Sequence, residues 1–193
     1  MHTCLILILF SIKEITARHY FMKYILIFFA ITLISCNQPI TKSGKRYPDI
    51  KSFFEKEALR LSSIKKHVEK TVSRNGNKET KNIGNLNWLN EFNLFIESDI
   101  NKPAWKEFYQ ISQKHDLTIY NALDSSLRTR YIIIKKKSDG TIKYVEIFNK
   151  TANSLYQSSE HLAYLTDSIC SIKKQQNVIL LGNNQYQIIS RIK

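Results

Sequence analysis

The chain has 193 residues, a formal net charge of +13 and a pI near 9.6; 43% of it is apolar, with ten Phe, ten Tyr and two Trp available for a core. Five Gly and three Pro are too few for a linker-like or disordered chain, and Cys4, Cys36 and Cys170 are too widely spaced for a disulfide framework. No CxxC pair, His pair at helical spacing, phosphate-cradling glycine loop, G-x-S-x-G or H-E-x-x-H occurs, so neither metal, cofactor nor hydrolase chemistry is indicated.

The N-terminal region carries two apolar patches, Cys4-Leu-Ile-Leu-Ile-Leu-Phe10 and the twelve-residue run Tyr24–Ser35, separated by Lys13, Glu14, Arg18 and His19. Twelve residues are too few for a bilayer-spanning helix, which needs about 20, but fit the core of an export signal. Met22 and Lys23 supply its positive start. Residues 1–21 precede an already complete signal; either translation begins at Met22 or the chain carries a long leader.

The run ends in Leu33-Ile34-Ser35-Cys36. This resembles the lipobox of bacterial lipoprotein precursors, with an aliphatic residue, a tolerant position, a small residue and the invariant cysteine. The resemblance implies that signal peptidase recognises Leu33 and Ser35, that Cys36 is lipidated, and that residues 22–35 are removed. An uncleaved membrane helix is the competing reading. Two or more acyl chains give stable anchoring where one is marginal. No acid follows Cys36 until Asp49, which within that family implies an outer-membrane anchor with the domain facing the periplasm.

Residues 36–49, polar and holding Pro39, Gly44 and Pro48, read as a tether, and 50–193 as a single domain. Loss of residues 1–35 leaves 26 basic against 15 acidic residues, so the +11 surplus belongs to the body. For a tethered protein the nearest anions are lipid headgroups and cell-wall polymers, each basic residue contributing about 1 kcal/mol near such a surface. An exported chain would rarely meet nucleic acid, which is not expected as a partner.

Asp49, Ser52 and Glu55 mark a helix start, and Phe54, Ala58, Leu61, Ile64, Val68 and Val72 keep helical spacing for five or six turns. Ser73–Asn85 reads as a loop. Trp88, Leu89, Phe92, Phe95 and Ile96 predict a second helix whose aromatics line either a ligand pocket or, more commonly, the core. Pro103 breaks it, and Trp105, Phe108 and Tyr109 begin another helical turn.

From Leu117 the period becomes two. Six β-prone runs follow, punctuated at Asp124-Ser125, Ser138-Asp139-Gly140, Asp167-Ser168 and Gly182-Asn183-Asn184. Their connections are too short for crossover helices, so the sheet is antiparallel. The fold expected is α+β, with N-terminal amphipathic helices packed on a curved meander of about six strands.

Lys135, Lys136, Lys137 and Lys143 flank the Asp139-Gly140 turn, as an anionic-ligand site or as protection for an edge strand. The functional expectation is a non-catalytic envelope module, binding a cell-wall polymer, a lipid or an envelope protein. A lipid-carrier version requires an apolar cavity between helices and sheet. The alternative is an envelope enzyme using His115, or His161 with Cys170; it requires those side chains to converge with acids in one cleft.

Overall fold

The computed structural model describes residues 46–105, 107–180 and 182–193. The expected export signal, Cys36 and the expected tether as far as residue 45 lie outside the described residues. The tether's last residues belong to the body: Tyr47 is buried, edge-on to Tyr109 with centroids 5.5 Å apart, and Pro48 O accepts from Asn101 Nδ2 at 2.9 Å.

Asp49 caps the first helix, α1 (Ile50–Ile64), its carboxylate accepting the Ser52 N–H at 3.1 Å. Ile50, Phe54, Ala58 and Leu61 form its buried stripe. The helix is shorter than its spacing predicts. Lys65 takes a left-handed conformation (φ 44°), and Val68 and Val72 pass into a strand instead. Two valines four apart fit either period; pairing of Val68 with Ile192 decides for the strand.

That strand, β1 (Val68–Arg74), forms a hairpin with β2 (Asn77–Ile83) where a loop is predicted. Asn75 (φ 49°) and Gly76 (φ 92°) supply its two-residue turn. All but the last residue of β2 are exposed, which removes the apolar alternation by which a strand is read. Two one-turn helices follow, α2 (Trp88–Glu91) and α3 (Asn93–Ile96), then a 3-10 turn at Pro103–Trp105.

A further unpredicted strand, β3 (Tyr109–Lys114), stands where a helical turn is expected. The six anticipated runs become β4 (Leu117–Ala122), β5 (Thr129–Lys136), β6 (Ile142–Ala152), β7 (Tyr156–Leu165), β8 (Ile169–Val178) and β9 (Gly182–Ile192). The meander therefore has seven strands, and the hairpin β1–β2 joins it along β9. The result is one antiparallel sheet of nine strands in the order β2-β1-β9-β8-β7-β6-β5-β4-β3. The fold is α+β but dominated by its sheet, with a single helix of length among the described residues. No helix among the described residues is long and apolar enough to cross a membrane.

The helices lie on one face of the sheet. Phe54 stands 5.0 Å from Phe92, 4.6 Å from Phe95 and 5.7 Å from Tyr164, centroid to centroid, and Trp88 stacks toward Phe92. The aromatics Trp88, Phe92 and Phe95 thus fill the core, the commoner of the two readings of their spacing. Beneath them lie Ile132, Ile134, Val145, Ile147 and Leu162. Full burial of each such side chain contributes about 1.5–3 kcal/mol.

Three buried glutamates punctuate this face, each with a cation. Glu57 accepts from Tyr164 Oη at 2.5 Å and Arg60 Nη2 at 2.7 Å; Arg60 also reaches Asp167. Glu91 accepts from Lys70 Nζ and Ser190 Oγ, both at 2.5 Å. Glu160 accepts from Arg128 at 2.8 Å, Lys174 at 2.9 Å and Asn149 at 3.2 Å. Paired in this way, the charges avoid the penalty of isolated burial.

Candidate functional site: the uncovered face of the sheet

Alternation along nine strands sends half their side chains to the face opposite the helices. The cross-strand register places Ser73, Gln187, Lys173, His161, Phe148 and Tyr131 in one row on β1, β9, β8, β7, β6 and β5. One end of this row is polar and the other aromatic.

The polar part is a trough. A recess of about 350 Å³ is lined by Lys150, Gln157, Ser159, Gln175, Asn177, Asn183 and Gln185. A second, of about 300 Å³, is lined by Ser73, Lys78, Lys173 and Gln187 and shares Gln175 and Gln185 with the first. Side-chain amides dominate: each offers two N–H donors and a carbonyl acceptor at fixed spacing. The charges at its rim, Lys78, Lys150 and Lys173, are all positive.

The aromatic part adjoins it through Lys173, which pairs with His161. Tyr131 stacks on Phe148 (5.5 Å, 28°), and His161 leans on Phe148 at 5.0 Å. Glu146 lies beside them, accepting from Tyr131 Oη at 3.0 Å and Tyr144 Oη at 2.7 Å, with His161 Nδ1 3.8 Å away. Partial burial, then the Glu146 hydrogen bond, pushes the Tyr131 phenol up to about 12; the same causes raise Tyr144. Both hydroxyls therefore stay protonated and point Glu146 at the histidine. His161 itself is half-exposed, so its imidazole is open to a ligand.

The structure separates the residues of the enzymatic alternative. Cys170 pairs with Tyr164 and is buried on the helix side, while His161 pairs with Lys173 on the other side. Burial, then the charge of Glu91, pushes the Cys170 thiol well above its ordinary value, the opposite of what a nucleophile needs. His115 lies in the exposed β3–β4 turn in a left-handed conformation (φ 52°). His67 is exposed between α1 and β1 rather than on the helix. Among the described residues, no group of three or more His, Cys, Asp or Glu is arranged to hold a metal.

The lysines near Asp139-Gly140 do not join the trough. They stand at the opposite end of the strands, where Lys135 is 3.4 Å from Asp116 and a register shift precedes Lys136. Since β5 lies between β4 and β6, edge protection is not their role; the edges are β2 and β3. Lys136, Lys137 and Lys143 form a separate exposed basic tip.

The amide trough is the part that sequence reading misses. Its signal is a polar period of two, Lys173-Gln175-Asn177 and Asn183-Gln185-Gln187, within runs read only for their apolar members. Comparison of the chain with family models, curated proteins and solved structures gives no match.

Proposed function

We propose that the protein is a lipid-anchored module of the bacterial envelope, tethered through Cys36, whose uncovered sheet face binds an anionic glycan such as a cell-wall polymer. The observation that carries this reading is the continuous row from amide trough to aromatic plate. Sugar rings present hydroxyls at their edges and a C–H surface on their faces. Amide side chains match the first, and the Tyr131–Phe148 stack matches the second. Lys78, Lys150 and Lys173 suit carboxylate or phosphate groups on the polymer.

A glycan is favoured over a lipid cargo because Phe54, Phe92, Phe95 and Tyr164 occupy the space between helices and sheet. Among the described residues, these side chains fill the space that a lipid cargo would need. On this reading Leu33 and Ser35 serve signal peptidase, and the Lys136-Lys137-Lys143 tip is a secondary contact for anionic polymer or headgroups. The protein resides at the outer membrane, facing the periplasm.

Binding to purified cell-wall sacculi and to a panel of acidic glycans tests the site. Retention that falls about tenfold in Phe148→Ala and in Gln175→Ala/Gln185→Ala, with the fold intact by circular dichroism, supports it, each loss being near 1–1.5 kcal/mol. Wild-type protein that binds none of these glycans would sink the reading. For the anchor, Cys36→Ala abolishes acylation and processing. A variant that still matures and fractionates with membranes overturns the lipobox assignment.

A further inference from the structure

At one end of the sheet, two neighbouring hairpins present bare apolar side chains. Leu155 in the β6–β7 turn is 68% exposed, and Ile179 and Leu180 after β8 are 66% and 93% exposed. They form one tip, because Ile179 N–H donates to Leu155 O at 3.2 Å. The tip projects: pairing with β5 ends at Asn149 and the Lys150 N–H still reaches Arg128 O, so residues 151–152 of β6 run on beyond it with β7 as partner.

Charge is distributed along this projection in bands. Residues 151–159 and 175–190 contain no Asp, Glu, Lys or Arg, so no charged group at the tip has to leave water. The first charges met on retreating along β6, β8 and β1 are Lys150, Lys174 with Lys173, and Arg74. The acid in that region, Glu160, is buried and paired with Lys174 and Arg128. Tyr156, level with Val178, and Tyr186, level with Arg74 and Lys174, are half-buried, with Arg74 5.5 Å from the Tyr186 ring.

Five residue steps of strand separate Lys173 from Val178, about 17 Å at 3.3 Å per residue, a span that the lysine's own stem shortens when it reaches toward the tip. An interfacially bound element buries its apolar part about 5–10 Å into the headgroup–acyl boundary. Lysine and arginine stems therefore reach phosphates while the leucines enter the acyl region, and tyrosines occupy the level they favour in membranes.

We propose that the Leu155/Ile179/Leu180 tip inserts into an anionic bilayer, docking the domain at a second point that does not depend on Cys36. An anionic surface is the occupant because the charges nearest the tip that have no acid partner, Lys150, Lys173 and Arg74, are cations. The inference stands independently of the glycan reading, since its probe reports only on the tip.

The test uses the full chain with Cys4→Ser and Cys36→Ser, an environment-sensitive fluorophore on Leu180→Cys, and phosphatidylcholine vesicles with or without phosphatidylglycerol. Buried Cys170 stays unlabelled. A control fluorophore sits on Ser168→Cys, in the exposed β7–β8 turn at the other end of the strands. The expected result is a blue-shifted tip signal, quenched by nitroxide-labelled acyl chains, in phosphatidylglycerol vesicles only. The control stays water-like even when the signal segment holds the chain on the vesicle. Moving the tip probe to Ile179→Cys and adding Leu180→Asp reduces the inserted fraction about tenfold, as for loss of one buried leucine. A tip signal that stays water-like, matches the control, or is equally shifted in neutral vesicles overturns the proposal.

Discussion

His161 and Cys170 are nine positions apart in sequence, yet their side chains leave opposite faces of the same sheet. His161 faces Lys173 across the β7–β8 ladder, and Cys170 faces Tyr164. An antiparallel pair separates by face any two residues whose register partners differ in parity, however close they stand in the chain. A histidine and a cysteine on adjacent strands are thus no dyad here.

Cys170 is accordingly inert in the folded protein. Maleimide labelling of the native chain, read by peptide mass spectrometry so that each cysteine is scored separately, should leave Cys170 unmodified. Its modification should become complete in denaturant. His161→Ala should leave the native result unchanged; faster labelling in that variant would imply a contact the sheet forbids.

Glu160 makes stability depend on acid. Burial alone would raise its carboxyl value, but hydrogen bonds from Lys174 and Asn149 and the charges of Arg128 and Lys174 outweigh that and lower it below the ordinary 4.5. A carboxylate with a depressed folded value contributes stability that is present above the ordinary value and lost as pH falls through the folded one. Chemical denaturation should therefore show stability declining below about pH 4.5, with a shallower decline in Glu160→Gln. That variant also loses about 3 kcal/mol at pH 7, because Lys174 and Arg128 keep their charges without their acid. Unchanged midpoints at both pH values would contradict the pairing.

The Tyr164 hydroxyl is the one group reaching from the sheet into the helix at Glu57. Tyr164→Phe keeps the ring among Phe54 and Phe92 and removes only the donor. A loss of about 1–3 kcal/mol is expected from equilibrium unfolding, smaller than for Tyr164→Ala, which adds a cavity. Equal losses in the two variants would mean that the hydroxyl contributes nothing.

Gly76 sits at φ 92° with no atom within 4 Å of where a Cβ would stand. The cost of Gly76→Ala is therefore backbone strain alone, about 1 kcal/mol, whereas Asn75→Gly keeps φ 49° without strain but removes the side chain that accepts the Gln185 N–H at 2.7 Å and donates to Asn184 at 3.1 Å, also about 1 kcal/mol. Urea unfolding of both variants checks the pair; near-zero loss in Gly76→Ala would show that the turn relaxes to another type.

How much of this could be read in advance follows from where burial leaves a pattern. The strands β4–β9 are legible because one face is apolar and turns such as Asp139-Gly140 punctuate them. The hairpin β1–β2 is not: Asn77–Ile83 is solvated on both faces, and only Asn75-Gly76 betrays it. Val68 and Val72 were open to either period until Ile192, over a hundred residues away, supplied the partner. The Tyr131–Phe148–His161 plate is invisible to local reading because its members come from three strands. The amide trough was legible in principle, as the polar half of the alternation that revealed the strands.

The place of β9 between β1 and β8 has a kinetic consequence. Besides its hairpin partner β2, β1 pairs with β9, more than a hundred residues further on, so its second ladder forms only once β9 is available. Contacts of such sequence separation close slowly, since loop entropy is spent before pairing repays it. A chain still emerging from the ribosome holds Val68, Lys70 and Ser73 without their mates Ile192, Ser190 and Gln187. Completion of the sheet on that side is thereby delayed until β9 has been made, and until then one edge of β1 stays open to any other strand that reaches it.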